Sequence, residues 1–220
     1  MFRVTAIIYL FLFPVCINLL SQDRVKTNPE VFDEIISSGL EKILYSPGIN
    51  RDGKFVFIIK TGEKYTGSDE TEIKRYMRSV IKKLAGNEKL NISFADEMPD
   101  VRKDSVYYLL NIRVNLVKTV YNGFLKNKFL GEKIIAREIK VNIPVNVISA
   151  DSSVSFAGEI SKDYKDGVNL DDFDAIESGE YGFTRSQPPE TGVFESTVFP
   201  ALLIAASGGA TLLFFIIRTR

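Results

Sequence analysis

The sequence contains no histidine, no tryptophan and a single cysteine, Cys16, which lies inside the first hydrophobic run. Removal of that run on export would leave a chain without thiol or imidazole groups. Disulfides, cysteine nucleophiles, zinc sites built on histidine or cysteine, and mechanisms that need an imidazole base are therefore excluded. The absence of tryptophan, the usual residue that stacks on sugars, also counts against a glycosidase cleft.

The chain also has a formal net charge of zero, because 28 basic residues balance 28 acidic residues. Every acidic residue lies between Asp23 and Glu195, whereas Arg3, Arg218 and Arg220 lie outside this range. The middle of the chain is therefore mildly acidic, unlike a nucleic-acid-binding domain, which displaces counterions with a net basic surface. We expect no nucleic-acid partner. No cofactor is expected either, because the sequence contains no motif with the required spacing.

The first hydrophobic segment has the layout of a signal peptide, which we assign to residues 1–21. Arg3 precedes the apolar run Ala6–Leu20, and the polar Ser21 follows it. At about 15 residues the run is too short to cross a hydrocarbon core of ~30 Å at ~1.5 Å per residue. Pro14 also interrupts it. Cleavage is therefore predicted, and an uncleaved anchor is the alternative.

The second hydrophobic segment, 198–217, contains no charged residue and is long enough for a membrane-spanning helix. Arg218 and Arg220 follow it, and positive residues favour the cytoplasmic side of a membrane. The sequence therefore predicts a single-pass membrane protein with a cytoplasmic tail, 218–220, and an extracytoplasmic domain, 22–180. In the alternative interpretation, the segment is a sorting signal that is removed from an exported precursor.

Small residues recur at every fourth position of the predicted span, at Ala201, Ala205 and Gly209. Such a face lets a second helix approach closely, so it predicts a helix-packing surface and a homodimer formed through the span. The alternative is that alanine and glycine are simply common in membrane helices. The spacing leaves both interpretations open.

The first half of the domain is predicted to alternate helices with short strands. The apolar stripe of 28–45 predicts a helix whose amino-terminal cap is Asn28. A continuous apolar run at 55–59 predicts a buried strand. A second helical stripe covers 68–86, where a glycine ends it, and the segment 90–94 has the composition of a short strand.

The second half contains three segments in which apolar and polar residues alternate with a period of two. These segments, 105–120, 135–148 and 154–160, predict antiparallel strands. Pro144 interrupts the second of them and cannot donate to a strand ladder. Its position therefore indicates an edge strand or a bulge.

Together these elements predict an α+β fold. We expect a mixed sheet of about five strands with two helices on one face and an antiparallel three-strand meander at its end. A carboxy-terminal transmembrane helix follows. The glycine and proline content of 181–197 predicts a juxtamembrane linker between the domain and this helix.

Five segments resemble a family of bacterial envelope domains in their order and pattern. They are KFVFIIK, ETEIKRYMRSVIKKLA, LNISF, YYLLNIRVNL and REIKVNIPVNVISADSSVSFAGEI. The family includes the amino-terminal domain of the translocation protein TolB, lipoprotein activators of penicillin-binding proteins, flagellar outer-membrane accessory proteins and the curli secretion lipoprotein. The likeness covers roughly Lys54–Asp163. It implies a protein-binding or assembly module, identifies no functional residues, and departs from the family by having a carboxy-terminal span in place of a lipid anchor.

Two short motifs are similar to those of enzymes but do not fit. Ser79–Lys82 matches the S-x-x-K motif of serine-lysine acyl enzymes and Lys60–Gly62 matches their K-T-G motif, but the order along the chain is reversed. The acidic stretch 163–180 lacks oxygen ligands at the positions that a calcium loop requires. A pair of carboxylates that meet only in the folded chain is still compatible with a small hydrolase.

Basic residues are concentrated in the hairpin between the two longest predicted strands. These basic residues are Lys118, Lys126, Lys128, Lys133, Arg137 and Lys140. In one interpretation they form ion pairs with the acidic stretch 163–180. In the other, the hairpin tip, 121–131, docks on a partner protein or a membrane surface. The residues predicted to make this contact are Phe124, Leu125, Lys126, Lys128 and Phe129, and the three apolar ones are expected to be exposed.

The missing histidine and thiol groups, the family resemblance and the two hydrophobic ends favour one function. They predict a membrane-tethered extracytoplasmic protein of the bacterial periplasm that binds or helps to assemble other proteins and is not an enzyme. Its partners would be the membrane and another envelope protein. The alternatives left open are a small carboxylate-dependent envelope hydrolase and an exported precursor whose carboxy-terminal helix is removed.

Overall fold

The computed structural model of the protein describes residues 24–97, 107–127, 132–149, 153–177, 179–190 and 198–218. The helices and strands, in chain order, are α1 (Asn28–Leu44), β1 (Lys54–Thr61), α2 (Ser68–Glu88), β2 (Asn91–Ala95), β3 (Tyr107–Val114), β4 (Leu116–Asn127), β5 (Lys133–Ser149), β6 (Val154–Asn169), α3 (Phe173–Ile176) and α4 (Phe199–Arg218). Short 3-10 helices at Leu170–Asp172 and Gly182–Thr184 flank α3. The predicted signal peptide, 1–21, lies outside the described residues.

The six strands of the described chain form one mixed sheet. Strand β1 pairs in parallel with β2 on one side and with β3 on the other. Strand β5 pairs antiparallel with three strands. Strands β3 and β4 follow one another along one of its edges, and β6 runs along the other edge. The predicted α+β fold, with a mixed sheet and an antiparallel meander at its end, is therefore confirmed.

The first of the long predicted strands is divided into β3 and β4. Ile112 lies opposite Val145 and Leu116 lies opposite Asn142, so the register shifts between the two strands. Pro144 lies at this shift, where the ladder is already irregular and a missing amide hydrogen is tolerated. The irregularity predicted at Pro144 is present. The predicted edge position is wrong, because β5 has partners on both sides.

Both main helices pack on the same face of the sheet, as the sequence predicts. Successive residues of β1 point to opposite faces, and Phe55, Phe57 and Ile59 are buried with the residues of α1 and α2. Val56 and Ile58 belong to a smaller cluster on the opposite face. We call the face that contacts the helices the inner face and the opposite one the outer face.

Both helices differ from the sequence prediction at one end. The cap of α1 is Thr27, not Asn28, because Thr27 and Glu30 form the reciprocal hydrogen bonds of a capping box. The buried side chain of Asn28 is therefore available for other hydrogen bonds. Helix α2 continues past Gly86, its predicted end, and stops at Lys89, whose φ of 54° is left-handed.

Two glycines of the helices should respond in opposite directions to replacement by alanine. A Cβ on Gly39 would lie 2.6 Å from Ile160 Cγ2 of β6, so Gly39→Ala should lower the free energy of unfolding by about 1–3 kcal/mol. Gly86 has open space around it, so Gly86→Ala should raise that free energy by about 0.5–1 kcal/mol. Denaturant unfolding measures both changes, and equal effects would contradict the close packing of α1 on β6.

Residues 181–186 belong to the folded domain, although the sequence assigns them to a linker. Tyr181 and Phe183 pack against the main core. The Phe183 ring meets the rings of Phe32 and Tyr76 edge to face, with centroids 5.7 and 5.2 Å apart. Because these aromatic side chains pack against the helices, residues 181–186 are not part of the predicted linker, and any linker would begin after them.

Helix α4 is long and apolar enough to cross a membrane, and its bounds agree with the predicted span to within one residue. All of its side chains are exposed except that of Phe199, which is partly exposed. Ala201, Ala205 and Gly209 follow one another along this helix at intervals of four residues. Their role as a helix-packing face, and the homodimer that it would support, stay predictions.

Candidate functional site at the hairpin end of the sheet

A buried arginine lies at the centre of a polar cluster on the sheet. The side chain of Arg137, on β5, is fully buried, and its Nε and Nη2 donate to the two carboxylate oxygens of Asp166 on β6. Its Nη1 donates to the carbonyl oxygen of Lys26 at 2.7 Å and to Asn28 Oδ1 at 2.9 Å. The guanidinium therefore joins two strands to the start of the domain.

Asn28 and Glu177 extend this cluster to the end of the domain. Asn28 Nδ2 donates to Glu177 Oε1 at 2.8 Å and to the carbonyl oxygen of Thr184 at 2.9 Å. The Tyr121 hydroxyl donates to Glu177 Oε1 at 2.6 Å, and Glu177 Oε2 accepts from the amide of Ser186 at 3.0 Å. We call this cluster the clasp, because it joins both ends of the domain to the sheet. The clasp consists of Lys26, Asn28, Tyr121, Arg137, Asp166, Glu177 and Thr184.

Within the clasp, Arg137 and Asp166 balance one another's charge, and the Glu177 carboxylate accepts hydrogen bonds from neutral donors. Burial acts against the charge of the Arg137 guanidinium, but the hydrogen bonds and the negative charge of Asp166 outweigh burial and raise the pKa of Arg137. Burial and the hydrogen bond to Glu177 raise the pKa of Tyr121, so the phenol keeps the proton that it donates. A satisfied polar cluster of this kind holds the surrounding elements in one arrangement. Of the two interpretations of the basic hairpin residues, ion pairing with the acidic stretch 163–180 is therefore the one that applies to Arg137, whose partner is Asp166.

A groove of about 600 Å³ opens near the clasp, between the start of the domain, the hairpin of β4 and β5, the end of β6 and α3. Its walls are partly apolar and partly charged. The apolar lining residues are Val25, Ile134, Ala175 and Ile176, and the charged ones are Arg24, Glu132 and Asp172. Apolar walls with charges at their edges are the composition that protein interfaces share.

Leu125, from the hairpin tip, lies beside this groove with 64% of its surface exposed. A Cβ on Gly167 would lie 3.2 Å from Leu125 Cδ1 and 2.8 Å from Ile134 Cγ2, so the glycine makes room for both side chains over β6. The register of β4 is irregular on both sides of Phe124, and Gly123 has a φ of 111°. Such bulges redirect the side chains of a strand.

The residues predicted to contact a partner have different environments. Leu125 is exposed, as expected. Phe124 is partly buried against Ile135 and its neighbours, because the irregular register brings its ring to the inner side of the strand, and the predicted exposure is therefore wrong. Lys126 pairs with Glu132 at 2.7 Å within the hairpin. The two residues outside the described ranges are Lys128 and Phe129.

The motifs that are similar to those of serine-lysine enzymes do not form a site. Ser79 Oγ donates to the carbonyl oxygen of Tyr76 at 2.7 Å within α2, on the inner side of the sheet. Lys60 lies on the outer face, on the same side of β1 as Ile58. The sheet therefore separates the two motifs. Among the residues that the structure describes, no group of three or more acidic, histidine or cysteine side chains is placed to hold a metal ion.

Sequence reasoning missed the clasp, although one signal pointed to it. Arg137 stands between Ile135 and Ile139 in the row of β5 residues that face the core. A charged residue in an otherwise apolar row indicates a buried polar cluster, since buried charges need partners. The pattern does not identify those partners, because they come from segments far away along the chain.

No family model and no curated protein matches this chain. Among solved structures, a neuraminyllactose-binding hemagglutinin homologue from Helicobacter pylori is 10% identical, with 58% of this chain and 75% of that chain covered and a TM-score of 0.36. The carboxy-terminal domain of LpoB from Salmonella enterica is 8% identical, with 60% of this chain and 93% of that chain covered and a TM-score of 0.28. LpoB is a penicillin-binding-protein activator lipoprotein, one of the classes that the sequence resembles. At these TM-scores neither likeness carries an argument about function.

Proposed function

We propose that the protein is anchored in a membrane by α4, binds another envelope protein with the hairpin end of its domain, and does not catalyse a reaction. The length and apolar composition of α4 support the anchor. Arg218 at its end favours a cytoplasmic carboxy terminus. A cleaved signal peptide at 1–21 would agree with this orientation, with the domain in the periplasm of a bacterium.

The exposed Leu125 beside the groove is the observation on which the binding proposal rests. Protein interfaces are centred on an apolar anchor that is surrounded by polar groups. Leu125 would supply the anchor and Ile134 part of the apolar wall. Lys126 and Glu132 form an ion pair nearby, and their side chains are 41% and 48% exposed. Such a pair contributes little to stability, so it can exchange for contacts with a partner.

The clasp supports the same proposal because it makes the groove rigid. Arg137 and Glu177 hold β5, β6 and both ends of the domain through partly buried hydrogen bonds. The groove therefore exists before a partner arrives. A preformed surface loses less conformational entropy on binding, which favours affinity.

Photo-crosslinking from position 125 tests this function. A photoreactive amino acid in place of Leu125, in the full-length protein in intact cells, should give a discrete adduct with another envelope protein. The further substitution Ala175→Arg, which introduces a long cationic side chain into the groove, should reduce the adduct at least about tenfold. Val154 is 63% exposed at the other end of β6 and is the control position. Equal adducts from positions 125 and 154 would contradict the proposal.

A further inference from the structure

Two like charges lie directly opposite one another on the outer face of the sheet. Lys60 of β1 and Arg113 of β3 are registered partners in the parallel strand pair, and both side chains are exposed. Like charges at such positions repel one another and weaken a sheet. The pair therefore does not stabilise the fold, and its charges call for a negative partner.

Neither charge is balanced by a group among the described residues. Within the part of the chain that the structure describes, the side chains of Lys60 and Arg113 form no ion pair and no hydrogen bond. The other arginines described between residues 24 and 190 all donate to an oxygen atom. They are Arg24, Arg51, Arg75, Arg78, Arg137 and Arg185. Arg113 therefore differs from them in having all of its donors available to a ligand.

Two asparagine side chains flank these cations. Asn111 of β3 lies on the same face as Arg113, and its registered partner on β5 is Asn146. Neither amide group forms a side-chain hydrogen bond within the described residues. A depression of about 520 Å³ opens among the four polar side chains, and the apolar Ile58 and Pro144 also line it. The depression is therefore cationic, rich in unused amide groups and apolar in part of its wall.

We propose that this depression binds an extended, glutamate- or aspartate-containing segment of a partner protein. The planar guanidinium of Arg113 can bind one carboxylate through two parallel hydrogen bonds, and Lys60 adds a positive charge beside it. Asn111 and Asn146 supply donors and acceptors, which match the alternating groups of an extended peptide backbone. This surface is separate from the groove at the hairpin end, so the inference goes beyond the proposed function.

A negative charge on the strand beside this depression, opposite Pro144, favours a single carboxylate over a polyanionic surface. Glu159 of β6 is exposed and accepts a hydrogen bond from Asn142 Nδ2 at 3.0 Å. Asn142 Oδ1 accepts in turn from Asn115, which lines the depression. An anionic membrane would bring many negative charges close to Glu159 and be repelled there. One carboxylate directed at Arg113 avoids this repulsion.

The inference is tested by fluorescence anisotropy on the full-length protein in an uncharged detergent. The probe is a labelled peptide of alternating valine and glutamate, six residues long by design. This peptide should bind, and its glutamine analogue should bind at least about tenfold more weakly. Arg113→Gln should weaken binding of the acidic peptide by a similar factor, and Asn146→Asp should weaken it further. Lys118→Gln removes an exposed cation of β4 outside the depression and should leave binding unchanged.

Failure of the acidic peptide to bind, or equal binding to wild type and to Arg113→Gln, would overturn the inference. Displacement of the peptide by glycerol phosphate at lower concentrations than by glutarate would also overturn it, because the site would then prefer a phosphate headgroup. Leu125→Asp does not touch this depression and should leave peptide binding unchanged. The outcome is therefore independent of the proposed binding at the hairpin end.

Discussion

Arg137→Ala is expected to lower the free energy of unfolding by about 3–5 kcal/mol, the usual loss when one partner of a buried ion pair is removed. The substitution leaves the Asp166 carboxylate without its bidentate donor. The carbonyl oxygen of Lys26 and the Asn28 Oδ1 atom lose a donor as well. Because buried acceptors without donors are costly, the start of the domain should detach from the sheet.

Denaturation of the full-length protein in detergent, followed by circular dichroism, measures this loss. Lys118→Ala is the control, because Lys118 is exposed on β4, and its effect should stay within about 0.5 kcal/mol. A loss below about 1 kcal/mol for Arg137→Ala would show that the clasp does not hold the domain together. The double substitution of Arg137→Met and Asp166→Asn should cost less than the sum of the single losses, because no uncompensated charge remains.

Phe183→Ala is expected to lower the free energy of unfolding by about 2–4 kcal/mol, even though Phe183 lies beyond the last strand. Its ring fills the space between α1 and α2, where it contacts Phe32 and Tyr76. Removal of the ring leaves a cavity at this contact and weakens the packing that keeps residues 184–186 against the domain. The same substitution in a flexible linker would leave the free energy of unfolding almost unchanged.

Trypsin cleavage after Arg185 gives a second readout of this substitution. In the wild type, Arg185 Nε donates to the carbonyl oxygen of Gly179 at 2.9 Å, which holds the site in place. Cleavage should be faster in Phe183→Ala. Val154→Ala, at an exposed position, should change neither stability nor cleavage. If Phe183→Ala behaved like Val154→Ala, residues 181–186 would be a linker, as their composition indicates.

The clasp brings the start and the end of the folded domain to the same place as the groove. Asn28 binds Thr184, so the start and the end of the folded domain lie side by side. Arg24 and Val25, which precede α1, line the groove beside Leu125. In the proposed function, the membrane anchor and the partner would therefore both act on the hairpin end of the domain.

The strands were more predictable from the sequence than their local irregularities. In β5 the alternation of residue types identifies the row from Ile135 to Val147 that faces the core, and this row is buried. In β4 the same rule fails at Phe124, because a bulge shifts the register there and turns the Phe124 ring to the inner face. The cap of α1 was ambiguous in the sequence, because Thr27 and Asn28 are both good cap residues. Only the capping box with Glu30 distinguishes them.

By itself, the sequence determined the features that depend on composition and on neighbouring residues: two amphipathic helices, the period-two strands, the apolar carboxy-terminal helix and the absence of histidine. The tertiary structure decided which distant residues meet. Arg137 and Asn28 are 109 positions apart, and Asn28 and Thr184 are 156 positions apart. Periodicity reports which face of an element is buried, but it contains no information about which polar group will lie opposite. The clasp, the docking of Phe183 and the unbalanced pair of Lys60 and Arg113 therefore emerged only from the folded chain.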